Sequence, residues 1–175
     1  HNGFLDIYVT NLDSGNGMMR NNGDGTFTNV AEELNLLVNL ICWGTNFIDF
    51  DNDGHIDLQT AAGCISGTAN NGTLGCSWNG PITDPLPANN TLFKNIGYGQ
   101  FQDVSGESGL DNPYLTTGTA IGDINNDGYI DLYEVNELDP TQLGNYCRLY
   151  KNNYSEIESN QMNWIKVKLE GVQSN

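Results

Sequence analysis

The chain has 175 residues, which at about 150 residues per domain corresponds to one domain or to part of a larger one. Its 22 Asp and Glu residues against 6 Lys and Arg give a formal net charge of −16. This charge excludes nucleic acid as an ordinary partner, because there are too few cations to release counterions from phosphates, and it likewise excludes an anionic membrane surface. No apolar run approaches about 18 residues, so no membrane insertion is expected. The 21 glycines and many asparagines favour tight turns, and we expect a soluble, turn-rich, mostly β protein.

The first residues belong to a motif that recurs along the chain. The stretch 1–6 has neither a basic n-region nor an apolar h-region, so it is not expected to be a signal peptide. Instead, residues 2–6 align with two acidic segments further along the chain, at 53–57 and 127–131. Each of the three is followed by an alternating run typical of a short strand, at 7–9, 58–60 and 132–135.

A second block of sequence recurs between the acidic segments. Residues 19–30 align with residues 93–104, and a decayed third copy begins at Tyr150-Lys151-Asn152-Asn153. Phe27 precedes Gly54 by 27 residues, and Phe101 precedes Gly128 by 27 residues again. The same spacing with matching residues at both ends indicates a repeat and not a coincidence of composition.

Each repeat is predicted to form four short antiparallel strands. Strands are expected at 119–122, 131–135 and 148–151, and the fourth is clearest in the preceding repeat at 100–104. Four strands in roughly 50 to 75 residues describe a β-propeller blade better than a sandwich. We therefore predict an all-β fold of about two and a half blades, a partial propeller because closure takes at least about four. The predicted units are a partial blade at 1–36, a blade with a cysteine-bearing insertion at 37–110, and a blade at 111–160.

Two acidic turns carry the strongest functional signal, because both follow the pattern D-x-[DN]-x-D-G-x-x-D. Side-chain oxygens at positions 1, 3 and 5 converge because the glycine at position 6 allows a sharp bend, and position 7 offers its backbone carbonyl. An EF-hand closes with Glu at position 12 and enters a helix, whereas here Asp at position 9 closes the loop before a strand. The predicted ligands are Asp49, Asp51, Asp53, His55 (carbonyl) and Asp57 in the first turn, and Asp123, Asn125, Asp127, Tyr129 (carbonyl) and Asp131 in the second. Asn2, Phe4 (carbonyl) and Asp6 are the tail of a third copy and form a possible partial site.

The donor set predicts the metal. Oxygen ligands without His or Cys side chains select a hard cation, and a flexible ring of carboxylates suits Ca²⁺ better than Mg²⁺. Without the ion the clustered carboxylates would repel one another. We expect two complete Ca²⁺ sites and a possible partial third one, each holding a hairpin turn.

These motifs resemble a known family. The acidic turns followed by D-[IL]-x-x-x-N, together with the block R/K-N-x-G-x-G-x-F-x-[ND]-V, are similar to the FG-GAP and VCBS repeats of integrin-α-like β-propellers. Residues 161–175, with the pattern W-I-x-V-x-L-x-G-x-x-S-N, resemble the first strand of an ASPIC/UnbV domain, as in cartilage-acidic-protein-like secreted proteins. The resemblance implies a calcium-bound extracellular propeller for adhesion or scaffolding, with a protein or glycan ligand. It implies no shared catalytic activity, and the insertion at about 61–87 departs from the pattern.

The cysteines and sequons fit an extracellular setting. The even number of four cysteines favours disulfides, with Cys64 paired to Cys76 inside the insertion and Cys42 paired to Cys147; buried free thiols are the alternative. Asn71, Asn89 and Asn153 stand in N-glycosylation sequons, although three sequons are about the number that chance predicts in so Asn-rich a chain.

Catalysis finds little support in the sequence. The histidines are His1 and His55, the second of them within a metal turn, and the H-E-x-x-H, G-x-S-x-G and P-loop patterns are absent. We expect a non-catalytic binding or structural protein. Two alternatives stay open: a self-assembling fibre subunit that pairs exposed strand edges with copies of itself, and a lectin or enzyme propeller with its site on other blades.

Overall fold

The computed structural model describes residues 2–11, 15–38, 40–63, 89–111, 115–136 and 147–157. Within these ranges the chain forms three antiparallel sheets and two helices of four residues, so the all-β prediction is confirmed. The N-terminal sheet has the order β1-β2-β3, with β1 at Ile7–Val9, β2 at Gly17–Asn21 and β3 at Phe27–Asn29. The middle sheet has the order β4-β5-β6-β7, with β4 at Cys42–Ile48, β5 at Asp57–Ala62, β6 at Thr91–Asn95 and β7 at Phe101–Asp103. The C-terminal sheet has the order β8-β9-β10, with β8 at Thr116–Gly122, β9 at Asp131–Asn136 and β10 at Arg148–Tyr150.

Within each sheet, every strand pairs antiparallel with the next one along the chain. The β2–β3 and β6–β7 hairpins, built from the recurring second block, close in the same way: Asn22 donates its N–H to the Thr26 carbonyl, and Ile96 donates to the Gln100 carbonyl, both at 3.0 Å. Glycines with positive φ, among them Gly23 and Gly97, give both bends the left-handed backbone that they need. The two helices, α1 at Ser105–Ser108 and α2 at Tyr154–Ile157, were not predicted.

Two hydrophobic clusters hold the sheets together. The first lies between the N-terminal and middle sheets and includes Tyr8, Met18, Leu36, Cys42, Leu58 and Phe93. Leu36 and Leu58 are completely buried, and burial of such a side chain contributes about 1.5 to 3 kcal/mol. The second cluster joins the middle and C-terminal sheets through Ile48, Leu92, Leu110 and Leu132.

The first strands of the middle and C-terminal sheets approach each other closely. A Cβ atom on Gly44 of β4 would lie 2.8 Å from Oγ1 and 3.2 Å from the backbone nitrogen of Thr119 in β8, so the approach requires glycine. The side-chain amide of Asn46 donates to Thr119 Oγ1 at 2.7 Å. Deeper in this interface, the buried Asn90 amide donates to Glu134 Oε1 at 2.7 Å. The interface is therefore specified by polar contacts as well as by apolar packing.

The structure corrects one of the two predicted disulfides. Cys42 and Cys147 are both free thiols, Cys42 being buried in β4 and Cys147 being exposed immediately before β10. The thiol of Cys42 packs in the first cluster beside Asn16 and Thr60 and so belongs to the core. The predicted Cys42–Cys147 disulfide is therefore wrong for this structure.

Several predictions fall on parts of the chain outside the described ranges. They concern the Cys64–Cys76 disulfide, the sequon at Asn71, most of the insertion at 61–87, and the ASPIC/UnbV-like segment at 161–175. Of the other two sequon asparagines, Asn153 has an exposed side chain and Asn89 is half-buried. Among the described residues, no helix has both the length and the apolar character needed to cross a membrane.

Candidate metal-binding turns

The first acidic turn joins β4 to β5 and is closed by its own aspartates. Asp49 accepts hydrogen bonds from the backbone N–H of Asp53 and from that of Gly54, each at 3.0 Å. Asn52 and Gly54 adopt positive φ values of 57° and 85°, conformations that Asn tolerates and Gly favours. The bend therefore depends on the residue types that the motif specifies.

The last aspartate of this turn, Asp57, fastens the turn to the neighbouring strand. Its Oδ2 accepts the N–H of Phe50 at 3.1 Å, and its Oδ1 accepts the N–H of Asn95 in β6 at 2.8 Å. Burial raises the pKa of Asp57 to about 6. The two hydrogen bonds act to lower this pKa, whereas the charges of Asp51 and Asp53 act to raise it. Asp57 therefore keeps its proton to a higher pH than an ordinary aspartate does.

Three predicted ligands of the first turn converge. One carboxylate oxygen from each of Asp49, Asp51 and Asp57 lies within 4.8 Å of the other two. Asp51 and Asp57 are almost fully buried, and burial also raises the pKa of Asp49. Asp53 is not part of this group; it is exposed, and its Oδ1 accepts the N–H of His55 at 2.8 Å. Such a concentration of carboxylate oxygens suits a cation.

The second acidic turn, between β8 and β9, has the same hydrogen-bond pattern. Asp123 accepts the N–H groups of Asp127 and Gly128, both at 3.1 Å, and Asp127 accepts the N–H of Tyr129 at 3.0 Å. Asn126 and Gly128 have φ values of 59° and 89°, as at the matching positions of the first turn. The two predicted turns are therefore built alike.

The closing aspartate of the second turn is hydrogen-bonded as in the first turn, but the residue at the third position differs. Asp131 accepts the N–H of Ile124 at 2.9 Å and that of Asn152 at 2.8 Å. Asn125 stands where the first turn has Asp51, and its amide oxygen accepts the N–H of Asp127 at 3.0 Å. The second turn therefore offers three carboxylates and one amide.

The tail of a third copy keeps half of the pattern. Asn2 accepts the N–H of Phe4 at 3.1 Å, and Gly3 has a φ of 85°. Asp6 accepts the N–H of Asn21 at 2.8 Å. These residues match positions 5 to 9 of the complete turns.

An asparagine that the motif did not single out as a functional residue holds each turn in place. We call Asn21, Asn95 and Asn152 the clasp asparagines. Besides its backbone N–H to the closing aspartate, each donates its side-chain amide to the carbonyl before that aspartate, at 3.2 Å to Leu5, 3.0 Å to Ile56 and 3.3 Å to Ile130. Each also accepts an N–H two residues ahead, from Gly23, Gly97 and Tyr154. The signal was present in the sequence as a basic residue followed by Asn in all three copies, at 20–21, 94–95 and 151–152.

The basic residue before the clasp asparagine has a special place in the first turn. The ammonium of Lys94 hydrogen-bonds to Oδ2 of Asp51 and lies 3.6 Å from Oδ2 of Asp53. Burial lowers the pKa of Lys94, but the hydrogen bond and the charge of Asp51 outweigh this effect, so its pKa is raised. Lys94 thus places a cation beside the clustered carboxylates.

The two complete turns touch each other. The side-chain amide of Asn52 donates to the carbonyl of Gly128 at 3.0 Å. The clasp asparagine of the second turn, Asn152, also donates to the carbonyl of Phe50 in the first turn at 2.6 Å. Beside them, a cavity of about 430 Å³ lies between the middle and C-terminal sheets, with Ile48, Phe50, Leu92, Lys94, Leu132 and Tyr150 among its lining residues.

Comparison with known families supports the repeat. Residues 1–59 match the family model described as an FG-GAP-like repeat, a stretch that contains the partial turn and the entire first acidic turn. A comparison with curated proteins gave no significant match. The geometry and the match together define an all-β chain with FG-GAP-like repeat sequence at its N-terminal end.

Proposed function

We propose that this chain is part of a calcium-stabilised β-propeller that acts as an extracellular binding or adhesion module. Two features of the fold support the propeller. The middle sheet is a meander of four antiparallel strands, as in a propeller blade. The first strands of neighbouring sheets, β4 and β8, also face each other at the close approach of Gly44 to Thr119, as inner strands do around a central channel.

The single observation that carries the calcium proposal is the meeting of Asp49, Asp51 and Asp57 within 4.8 Å in a turn whose backbone pattern recurs in a second turn. All side-chain donors of these turns are oxygen atoms, so the residues fit a hard cation, and the number and flexibility of the carboxylates favour Ca²⁺ over Mg²⁺. The bound ion would supply positive charge that offsets the carboxylates. Among the described residues, the third, partial turn offers the side-chain oxygens of Asn2 and Asp6.

The proposed role of calcium is structural. In each complete turn the closing aspartate is already hydrogen-bonded to a clasp asparagine, which is the last residue of β6 in the first turn and follows β10 in the second. An ion there would therefore hold the turn against that strand as well. The direct contacts between the turns extend this order across two sheets. Neighbouring loops then present a stable surface for a protein or glycan partner.

We propose a non-catalytic activity and an extracellular location. The densest carboxylates of the described chain are committed to hydrogen bonds that shape the turns, which suits a metal-holding role better than acid–base chemistry. FG-GAP-like repeats, which residues 1–59 match, are typical of extracellular proteins. At extracellular calcium levels, sites with dissociation constants of roughly 10⁻⁴ to 10⁻³ M would be occupied.

Calorimetric titration with CaCl₂ at millimolar concentrations tests the proposal. We expect saturable binding at two sites, a rise in melting temperature with calcium, and reversal by excess chelator. Asp49→Ala, which removes one carboxylate of the converging group, should remove one of the two binding events. Asp111→Ala, which removes an exposed carboxylate outside the turns, is the matched control and should leave both intact. A melting curve that is the same in calcium and in chelator would contradict the proposal.

A further inference from the structure

We infer that Lys94 competes with the metal at the first turn, because its ammonium occupies Asp51 and so makes this turn bind calcium more weakly than its carboxylates alone would. The inference rests on the proposed calcium binding and assigns a role to a residue that is not itself a ligand. It predicts that removing the Lys94 charge strengthens calcium binding at the first turn.

The contacts of Lys94 place it in competition with an ion. Its ammonium bonds to Oδ2 of Asp51, while the other oxygen, Oδ1, lies 3.3 Å from the N–H of Asp53. The Asp51 side chain is only 1% exposed, so its carboxylate cannot turn to water to find a different partner. An ion that uses Asp51 must therefore share Oδ2 with the ammonium or displace the ammonium from it.

The basic residues at the matching position of the other two copies lie beside glutamates outside the acidic turns. Lys151 pairs with Glu156 of α2 at 2.8 Å, and Arg20 lies 3.6 Å from Glu33. The second turn has the neutral Asn125 where the first has Asp51, so it lacks the carboxylate that would draw in Lys151. The close pairing of a lysine with a turn aspartate is therefore a property of the first turn among these three copies.

The charges of the two complete turns explain this difference. The first turn carries four carboxylates and the second carries three, because of the exchange of Asp51 for Asn125. Lys94 offsets the additional carboxylate, which brings the first turn to the same formal charge as the second. In the absence of calcium, Lys94 therefore relieves a repulsion that the second turn does not have.

The Lys94 side chain also has space to move away from Asp51. Its side chain is 27% exposed, and it lines the cavity between the middle and C-terminal sheets. The ammonium lies 5.9 Å from the centre of the Phe50 ring, an aromatic face that can hold a cation. An arriving ion can therefore displace the ammonium without breaking β6, whose backbone fixes Asp57 through Asn95.

The test measures calcium binding to each turn separately by calorimetry. Asp127→Ala removes a predicted ligand of the second turn, so that calcium binding is measured at the first turn alone. Lys94→Gln is then introduced into this Asp127→Ala variant. We expect the dissociation constant to fall by about five- to tenfold, the range of a modest coupling between two bound cations. Without calcium, the same Lys94→Gln change should lower the melting temperature because Asp51 loses its partner. A general structural defect would instead weaken calcium binding and also lower the melting temperature.

Two further variants make the test specific. Lys151→Gln removes the same charge from the matching position. Measured at the second turn in an Asp49→Ala background, it should change the affinity for calcium less than about twofold. Adding Asp51→Asn should abolish most of the effect of Lys94→Gln, because the group for which the ion and the ammonium compete is gone. Lys94→Met keeps the apolar stem of the side chain and should reproduce the result of Lys94→Gln.

The outcomes separate this inference from the proposed function. Saturable calcium binding with unchanged or weaker affinity in Lys94→Gln and Lys94→Met overturns the inference and leaves the calcium proposal standing. An equal gain in Lys94→Gln and Lys151→Gln also overturns it, because the effect would then be general electrostatics. Absence of calcium binding by the unmodified protein and by every variant overturns both.

Discussion

The side-chain amide of Asn52 donates a hydrogen bond of 3.0 Å to the carbonyl oxygen of Gly128, and so joins the two acidic turns across 76 residues of sequence. A second link, from Asn152 to the carbonyl of Phe50, runs in the opposite direction at 2.6 Å. Each proposed ion would therefore order a turn that is in direct contact with the other. This arrangement predicts that the two sites are coupled.

Replacing Asn52 with glycine should weaken this coupling. Glycine accepts the φ of 57° at this position without strain, so the variant removes the hydrogen bond and leaves the bend possible. When Asn52 is kept, we expect Asp49→Ala in the first turn to weaken calcium binding at the second turn by a few-fold. This effect should be smaller when Asn52→Gly is also present. Calorimetric titrations of the single and double variants measure it.

Asn35→Gly provides the matched control for that experiment. Asn35 has the same φ of 57° but lies between β3 and β4, away from both turns, so its replacement should leave the coupling unchanged. Coupling of the same size in Asn52→Gly and in the unmodified protein would show that the Asn52–Gly128 contact does not transmit it.

Loss of a clasp should destabilise the fold even without metal. Asn95→Ala removes the side-chain hydrogen bonds to the Ile56 carbonyl and from the Gly97 N–H, both at 3.0 Å. At about 0.5 to 1.5 kcal/mol for each hydrogen bond, we expect the free energy of unfolding to fall by about 1 to 3 kcal/mol. Urea unfolding in the presence of chelator measures this change. The exposed Gln102→Ala on the next strand is the control, and an equal effect there would refute a special role for the clasp.

The close approach of β4 to β8 should not tolerate a side chain at position 44. In Gly44→Ala the new Cβ would meet Thr119 Oγ1 at 2.8 Å and the Thr119 backbone nitrogen at 3.2 Å, so the strands must separate. We expect a loss of about 1 to 3 kcal/mol in the free energy of unfolding, as for other overpacked sites. Thermal melting of Gly44→Ala and Gly122→Ala tests this, since a Cβ at Gly122 meets nothing within 4 Å. Equal melting temperatures would contradict the packing described for this interface.

The two described cysteines should differ in reactivity. Burial raises the pKa of the Cys42 thiol, so this residue should resist alkylation in the folded protein, whereas the exposed Cys147 should react readily. Treatment with iodoacetamide under native and unfolding conditions, followed by peptide mass spectrometry, distinguishes the two. Recovery of a peptide that contains Cys42 linked to Cys147 would contradict the free thiols of this structure.

The sequence by itself determined the local elements of this protein. The strand runs at 7–9, 58–60 and 132–135 lie in strands of the structure, and the sharp bends at Gly54 and Gly128 lie where the acidic pattern places them. These features were readable because they depend on neighbours within a few residues: an aspartate accepts the N–H two or four positions ahead, and glycine adopts the positive φ. The repeat spacing showed in the same way that the turns are copies of one unit.

The tertiary structure alone decided how these units meet. Asn52 contacts Gly128 across 76 residues, and Lys94 contacts Asp51 across 43. The burial of Cys42 in a core cluster, which overturned its predicted pairing with Cys147, has the same origin. No local pattern encodes such contacts, because they arise only when the hydrophobic faces of separate sheets pack together and bring distant polar groups into reach of one another.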